Sequence, residues 1–247
     1  GERGMLNNSF RRLLVVTAVT PTNAVRRILC LHYSGGSAVP FVTRAAGPLR
    51  GAAASKYRDG RGAFWEFEGI DAPNGDGVWW EYEGQWSDDS RRSFNVERYE
   101  GADESIAVVE QQLSTGRFSG LMGLGQGALL AAIVAARAAL GETSVPSSLQ
   151  FAIICGGATP LPFKPLLTRL RDTADAGLPT LHCLSAADAN HPAELGEELA
   201  SYFEPHAELS WHSAGSALPP TASAEWPEWR DQVVAFITRH ESGPDVR

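Results

Sequence analysis

The feature that most constrains the fold is the alternation of short apolar runs with segments of helical periodicity. Seven runs are predicted to be strands: RRLLVVTAV, RRILCLHY, AFWEFEGIDA, FSGLMGL, LQFAIICGG, LPTLHCLSA and AELSWHSA. Four segments between and after them are predicted to be helices: 103–115, 126–140, 193–203 and 226–239. Near-continuous apolar strands that alternate with helices are typical of a parallel sheet covered on both faces. We therefore predict an α/β fold.

Length and charge narrow the class further. The 247 residues fit one domain of this kind, with a short N-terminal extension over 1–10 and a long irregular excursion over about 72–101. A net charge of −8 disfavours binding to nucleic acid or to anionic membranes. No stretch approaches the roughly 18 apolar residues of a membrane span, and the first residues lack the apolar core of a signal peptide. We predict an intracellular protein, cytoplasmic by default, with an organelle left open.

Cysteine and histidine usage gives no indication of a metal site. Three cysteines cannot all pair, and each lies in an apolar run, so Cys30, Cys155 and Cys183 are predicted to be buried reduced thiols. His32 and His182 lie within apolar strands, which favours core packing. Because no H-x-x-x-H or C-x-x-C spacing occurs, we expect neither a metal ion nor a cofactor.

The stretch SGLMGLGQGALLAA, residues 119–132, combines a buried strand, a tight glycine turn and the start of an alanine-rich helix. This is the layout of a nucleophile elbow, in which G-x-S-x-G presents a catalytic serine at the tip of the turn. Here the tip reads Gly123-Leu124-Gly125-Gln126-Gly127. The residue at the tip therefore has no side chain.

An ordered series of motifs resembles the FSH family of serine hydrolases, a compact branch of the α/β-hydrolases. The series is ILCLHYSGG, GIDAPNGDGVWWEYEG, YEGADESIAVVEQQL, FSGLMGLGQGALLAA, QFAIICGG, LPTLHCLSAAD and WHSAGSALP, over roughly residues 27–240. No single motif carries the resemblance; their order does. The resemblance implies an α/β-hydrolase fold, with a mostly parallel central sheet and helices on both faces.

The resemblance also implies a degenerate catalytic triad. In the family the elbow reads G-F-S-Q-G, an aspartate follows a strand like LHCLSAAD, and the catalytic histidine lies in a closing G-G-H-x-x-P. The corresponding positions here are Gly125, Asp188 and Ser216, and Tyr33 replaces the glycine of the family's L-H-G. A hydroxyl attacks a carbonyl only when a positioned base takes its proton. One lost serine could be an engineered change, whereas the loss of both serine and histidine favours an evolved pseudoenzyme.

Other residues could supply catalytic groups in place of the triad, and each also has a simpler structural interpretation. Ser34 and Ser37 could be relocated nucleophiles, although turn hydroxyls usually bind the backbone. His191 could pair with the triad aspartate as a relocated base, but a His-Pro pair after a strand more often begins a loop and helix. His212 is predicted to be a strand residue with one ring nitrogen satisfied. Cys155 is interpreted as a small buried apolar residue.

The aromatic run VWWEYEGQW supplies Trp79, Trp80, Tyr82 and Trp86. One interpretation is a cap over the carboxyl ends of the strands, as the family's tryptophan pair implies. The other is a protein-interaction surface, because exposed Trp and Tyr concentrate binding energy at interfaces.

Three functions remain open on the sequence. The first is a non-catalytic interaction or scaffold subunit whose partner is another protein. The second is a binder of a small acyl or ester-like ligand in the old pocket, lined by Tyr33, Ser34 and Gln126. The third is an esterase or thioesterase with a relocated nucleophile. Fold alone does not choose among them, because function depends on the site; the two absent triad members favour the first.

Overall fold

A parallel sheet forms the centre of the molecule. The computed structural model describes residues 26–50, 65–83, 96–143, 145 and 148–241. Its strands are β1 (Arg26–Leu31), β2 (Trp65–Ile70), β3 (Glu81–Tyr82), β4 (Tyr99–Glu100), β5 (Phe118–Leu124), β6 (Phe151–Cys155), β7 (Thr180–Ser185) and β8 (Ala207–His212). Six of them form one sheet in the order β2-β1-β5-β6-β7-β8, and every neighbouring pair is parallel. The predicted α/β fold is confirmed.

Helices cover both faces of this sheet. They are α1 (Ala38–Phe41), which continues into a π-helical turn over Val42–Ala46, α2 (Ala102–Ser114), α3 (Gln126–Ala139), α4 (Lys164–Asp172), α5 (Ala193–Ser201) and α6 (Trp226–Glu241). The four predicted helices correspond to α2, α3, α5 and α6, with ends that differ by at most two residues. The helices α1 and α4 were not predicted.

Successive side chains of each strand point to opposite faces of the sheet, and this divides the core into two layers. In β1, Leu29 and Leu31 pack into the layer that contains α2 and α3. Ile28 and Cys30 project to the other face, where they join Trp229 and its neighbours on α6. Because both faces are covered, the strands need apolar side chains on both sides, which explains their continuous apolar character.

The predicted irregular excursion over 72–101 contains some regular structure. Its described part includes a 3₁₀ turn at Gly75–Gly77 and the antiparallel pair β3–β4. Trp86 lies outside the described residues. So do the N-terminal extension and the first predicted strand, RRLLVVTAV.

The topology indicates where a site would lie. From β1 the chain passes to β2 on one side of β1, and later to β5 on its other side. Loops that leave neighbouring parallel strands in opposite directions open a crevice at the carboxyl ends of the strands. The loop after β1 and the turn after β5 flank this crevice. Within the described residues, no helix is both long enough and apolar enough to span a membrane.

Candidate functional site

The turn between β5 and α3 has the geometry of the predicted elbow. Gly125, at its tip, has φ 57° and ψ −119°, a backbone conformation that essentially only glycine adopts without strain. Its N–H donates to the carbonyl of Cys155 at 3.0 Å, and its own carbonyl accepts from Ala128 at 2.9 Å and Leu129 at 3.2 Å. Gly125 therefore ends the strand and begins the helix, as the sequence predicted.

Close packing fixes the elbow against β1. A Cβ at Gly127 would lie 2.3 Å from the carbonyl oxygen of Leu31, a distance that no real side chain tolerates. The first turn of α3 therefore packs directly on the carboxyl end of β1. A Cβ at Gly125 would lie 3.4 Å from the Cβ of Tyr33. Any side chain at the tip would consequently contact Tyr33, which is itself 48% exposed.

The loop after β1 is held by hydrogen bonds at several points. Ala72 N–H donates to Nε2 of His32 at 3.1 Å, so the ring carries its proton on Nδ1, which donates to the Tyr33 carbonyl at 2.8 Å. Gly36 N–H donates to the same carbonyl, and Gly35 N–H donates to the Gly77 carbonyl, both at 2.9 Å. His32 is fully buried and serves the structure of this loop.

The hydroxyls of Ser34 and Ser37 are placed differently. Both residues are exposed. Within the described part of the chain, neither hydroxyl forms a hydrogen bond, so no described base is in position to take a proton from either of them. Their proposed role as relocated nucleophiles gains no support from this geometry.

Asp188 follows β7 and is almost completely buried. Its Oδ1 accepts the backbone N–H groups of Asn190 and His191, each at 2.9 Å. A Cβ at Gly156, directly after β6, would lie 3.3 Å from Oδ2 of Asp188, so glycine at that position leaves room for the carboxylate. Two backbone N–H donors thus hold the carboxyl group in this buried turn.

Ser216 is brought to the same place by the loop after β8. The side-chain amide of Asn190 donates to Oγ of Ser216 at 3.1 Å. Oγ of Ser185, the last residue of β7, accepts the N–H of Gly215 at 3.1 Å. Asn190 thus links the Asp188 turn to Ser216. Asn190 was not predicted from the sequence, although an Asn two residues after an Asp is a common turn signal.

Two histidines lie beside Asp188. Burial lowers the pKa of His191, and the negative charge of Asp188 opposes that shift. Burial also lowers the pKa of His212, against the charges of Glu225 and Asp188. Nδ1 of His212 accepts the N–H of Ala214 at 3.2 Å, in agreement with the expectation that one ring nitrogen is satisfied locally. Both rings are therefore biased towards the neutral form.

Gln126, directly after the tip, lies inside the protein, and both ends of its side-chain amide form hydrogen bonds. Its Oε1 accepts Trp79 N–H at 2.9 Å, and its Nε2 donates to the Trp80 carbonyl at 2.8 Å. The Trp79 indole N–H donates to the His32 carbonyl at 2.8 Å, and Trp80 stacks on Tyr99 with ring centroids 4.9 Å apart. The tryptophan pair closes over the carboxyl end of β1, in agreement with the cap interpretation.

The alternative interpretation of the aromatic run fails for its first two members. Trp79 and Trp80 are fully buried and cannot form an interaction surface. Tyr82 is half-buried and makes an edge-on contact with Tyr99, with centroids 5.1 Å apart. Trp86 lies outside the described residues, so its place in an interaction surface stays a prediction.

The three cysteines and His182 are part of the core. The three cysteines are buried and unbridged. A hydrogen bond with Cys183, together with burial, raises the pKa of the Cys155 thiol. His182 is also buried, which lowers its pKa to about 3. A protonated Cys155 thiol and a neutral His182 ring fit packing roles.

With this geometry established, comparison with known proteins identifies the family. The family model described as serine hydrolase (FSH1) matches residues 50–226. The chain belongs to this family. Esterase OVCA2 from Homo sapiens is 34% identical over 125 residues, which cover 49% of this chain and 52% of that protein. Esterase OVCA2 from Danio rerio is 32% identical over 148 residues, covering 57% and 63%. The chain thus spans little more than half the length of these curated relatives.

Solved structures show the same fold at lower sequence identity. Zea mays acyl-protein thioesterase 2 superposes with a TM-score of 0.61 at 19% identity, over 89% of this chain and 95% of that one. Esterase PE8 gives a TM-score of 0.57 at 18% identity, over 89% and 94%. The predicted α/β-hydrolase fold is confirmed.

Proposed function

We propose that this FSH-family member is a non-catalytic serine-hydrolase-like protein that acts through binding, as an interaction or scaffold subunit. The observation that carries the proposal is Gly125. The elbow keeps its backbone geometry, but its tip has no atom that could attack a carbonyl carbon. In serine hydrolases, removal of the nucleophile alone reduces turnover by a factor on the order of 10⁶.

The residue at the histidine position of the family motif supports the same conclusion. Ser216 has no group that accepts a proton near neutral pH, and its hydroxyl receives a hydrogen bond from Asn190. The Asp188 carboxylate, which would orient the histidine, instead accepts two backbone N–H groups of its own turn. The acidic residue thus has a structural role that is independent of catalysis.

The elbow geometry that remains around the tip is explained by folding. Gln126 connects the elbow to the tryptophan loop, and Gly127 allows α3 to pack on β1. A chain that no longer hydrolyses esters would still need these contacts to fold. The strand, turn and helix are therefore retained, while a glycine at the tip avoids a backbone strain of about 1–3 kcal/mol.

Restoring the serine tests the proposal. We expect the wild-type chain and Gly125→Ser to hydrolyse p-nitrophenyl esters no faster than Gly125→Ala, because no base lies ready at position 216. Gly125→Ala is the matched control, since it introduces the same backbone strain without a hydroxyl. Circular dichroism checks that the variants are folded, and an active serine hydrolase checks the assay.

Two outcomes would contradict the proposal. Turnover by Gly125→Ser well above that of Gly125→Ala would mean that another residue, such as His191, supplies the base. Wild-type turnover that is abolished by Ser34→Ala or Ser37→Ala would mean that the nucleophile has moved to the loop after β1.

A further inference from the structure

Among the described residues, no strand pairs with the outer edge of β8, so its outward backbone groups have no partner there. In the described sheet β8 is the last strand, and β7 is the strand that pairs with it. Thr180 N–H donates to the His206 carbonyl at 2.9 Å. In a parallel ladder the backbone groups of alternate residues then face β7, and those of Ala207, Leu209 and Trp211 point outward. Edge strands with free N–H and C=O groups readily pair with another strand.

The same alternation separates the side chains of β8 into two sets. One set faces α6: Glu208 forms an ion pair with Arg239, Ser210 Oγ donates to Gln232 at 2.7 Å, and the His212 ring contacts Trp229. Leu209 and Trp211 must therefore project from the opposite face. There the two neighbouring apolar side chains are 45% and 47% exposed.

We propose that β8 pairs with β8 of a second copy of this chain, so that the two sheets join in a two-fold symmetric dimer. Identical strands related by a two-fold axis run antiparallel and present the same patch to each other. Pairing centred on Ser210 places Leu209 opposite Trp211 of the second copy, and Trp211 opposite Leu209. Both exposed apolar residues then gain a cross-strand partner on one face.

The other face of β8 is also complementary in this register. Glu208 lies opposite His212 of the second copy. Because Nδ1 of His212 accepts the Ala214 N–H, the neutral ring carries its proton on Nε2, which can donate to a carboxylate. A cavity of about 450 Å³ between β8 and α6, lined in part by Glu208, Ser210 and Trp229, leaves space beside the edge. This match of the strand to itself favours a second copy over an unrelated peptide, and it does not depend on whether the chain is catalytic.

Analytical ultracentrifugation over a concentration series tests the dimer. We expect a species of twice the 26.5 kDa chain mass. Trp211→Lys and Leu209→Lys should each raise the dissociation constant at least about tenfold, because each change occurs twice in the interface. Val39→Lys is the matched control: Val39 is a 73% exposed apolar residue far from β8 in the sequence, and its substitution adds the same charge. A chain that stays monomeric, or a dimer that neither β8 variant weakens, would overturn the proposal.

Cysteine cross-linking tests the register. Ser210 directly faces its own copy as a non-hydrogen-bonded pair, in which side chains are closest. We therefore expect Ser210→Cys to form a disulfide-linked dimer under mild oxidation, and Leu209→Cys not to do so. Cross-linking of Leu209→Cys without Ser210→Cys would overturn the proposed register. Circular dichroism confirms that both variants are folded.

Discussion

At the scale of single residues, Gln126 links the elbow to the loop that covers it. Both ends of its side-chain amide are bound to backbone groups of the tryptophan pair, in a position almost without solvent. Removing the amide would leave the Trp79 N–H and the Trp80 carbonyl unpaired in the interior. Buried groups that lose their partners are costly, because no water replaces the lost hydrogen bond.

Gln126→Ala should therefore lower the free energy of unfolding by about 2–4 kcal/mol. Gln111→Ala is the matched control, since Gln111 is exposed on α2 and should change stability by less than about 0.5 kcal/mol. Urea denaturation followed by tryptophan fluorescence measures both variants. Equal stabilities for the two would mean that the amide does not hold the tryptophan loop.

The sequence identified some site residues but not how they are connected. The glycine at the tip and the buried aspartate were found because they occupy fixed places in ordered motifs. Asn190 and the amide contacts of Gln126 were not found, because they depend on loops that meet only in the folded chain. Trp79 and Trp80 could not be assigned to interior or surface from composition, since interleaved carboxylates are typical of exposed loops.

At the scale of elements, β7 carries a histidine whose ionisation opposes folding. The His182 ring lies fully inside the sheet, with Nε2 3.1 Å from Thr180 Oγ1 and with Nδ1 unpaired among the described residues. Burial lowers its pKa from 6.5 to about 3. The unfolded chain therefore takes up this proton first as the pH falls. The contribution of the neutral His182 ring to the stability of the folded chain is complete above about pH 6.5 and is lost progressively towards pH 3.

We expect His182→Gln to weaken the acid sensitivity of folding. Between pH 6.5 and pH 5 the wild-type chain should lose about 2 kcal/mol through this group, a loss that the variant should not show. His206→Gln is the control, because His206 is exposed. Urea titrations at the two pH values measure the difference. Parallel losses in the wild type and His182→Gln would show that another group causes the acid sensitivity.

Elements with a clear apolar pattern were predicted well, whereas α1, α4 and the pair β3–β4 were not. The helix α2 buries one apolar face, and α3 buries almost every residue, each over more than three turns. By contrast, α1 has four residues, too few for a periodic signal to emerge. The helix α4 is as long as the predicted α5, but it buries only Leu167 and Leu170, so its apolar face is too narrow to give a clear pattern. The pair β3–β4 joins two residues from each strand across the excursion. Its register arises from tertiary contacts rather than from local pattern.

At the scale of the whole molecule, the sheet assembles the site from distant segments. The tip of the elbow, Tyr33, Asp188 and Ser216 come from four different loops at the carboxyl ends of the strands. The order of the motifs was sufficient to predict this convergence, because parallel strands end at one edge of the sheet. The sequence could not show that Tyr33 lies against the tip, since that contact depends on the path of the loop after β1.

We propose that this assembled site has no working nucleophile. Intact-mass measurement after incubation with a broad fluorophosphonate tests it most directly, with an active serine hydrolase treated in parallel. We predict no adduct on this chain when the control is fully labelled, because Gly125 offers no oxygen and the exposed serines lack a described base. A covalent adduct mapped to Ser34, Ser37 or any other serine would contradict this proposal and locate a functioning nucleophile.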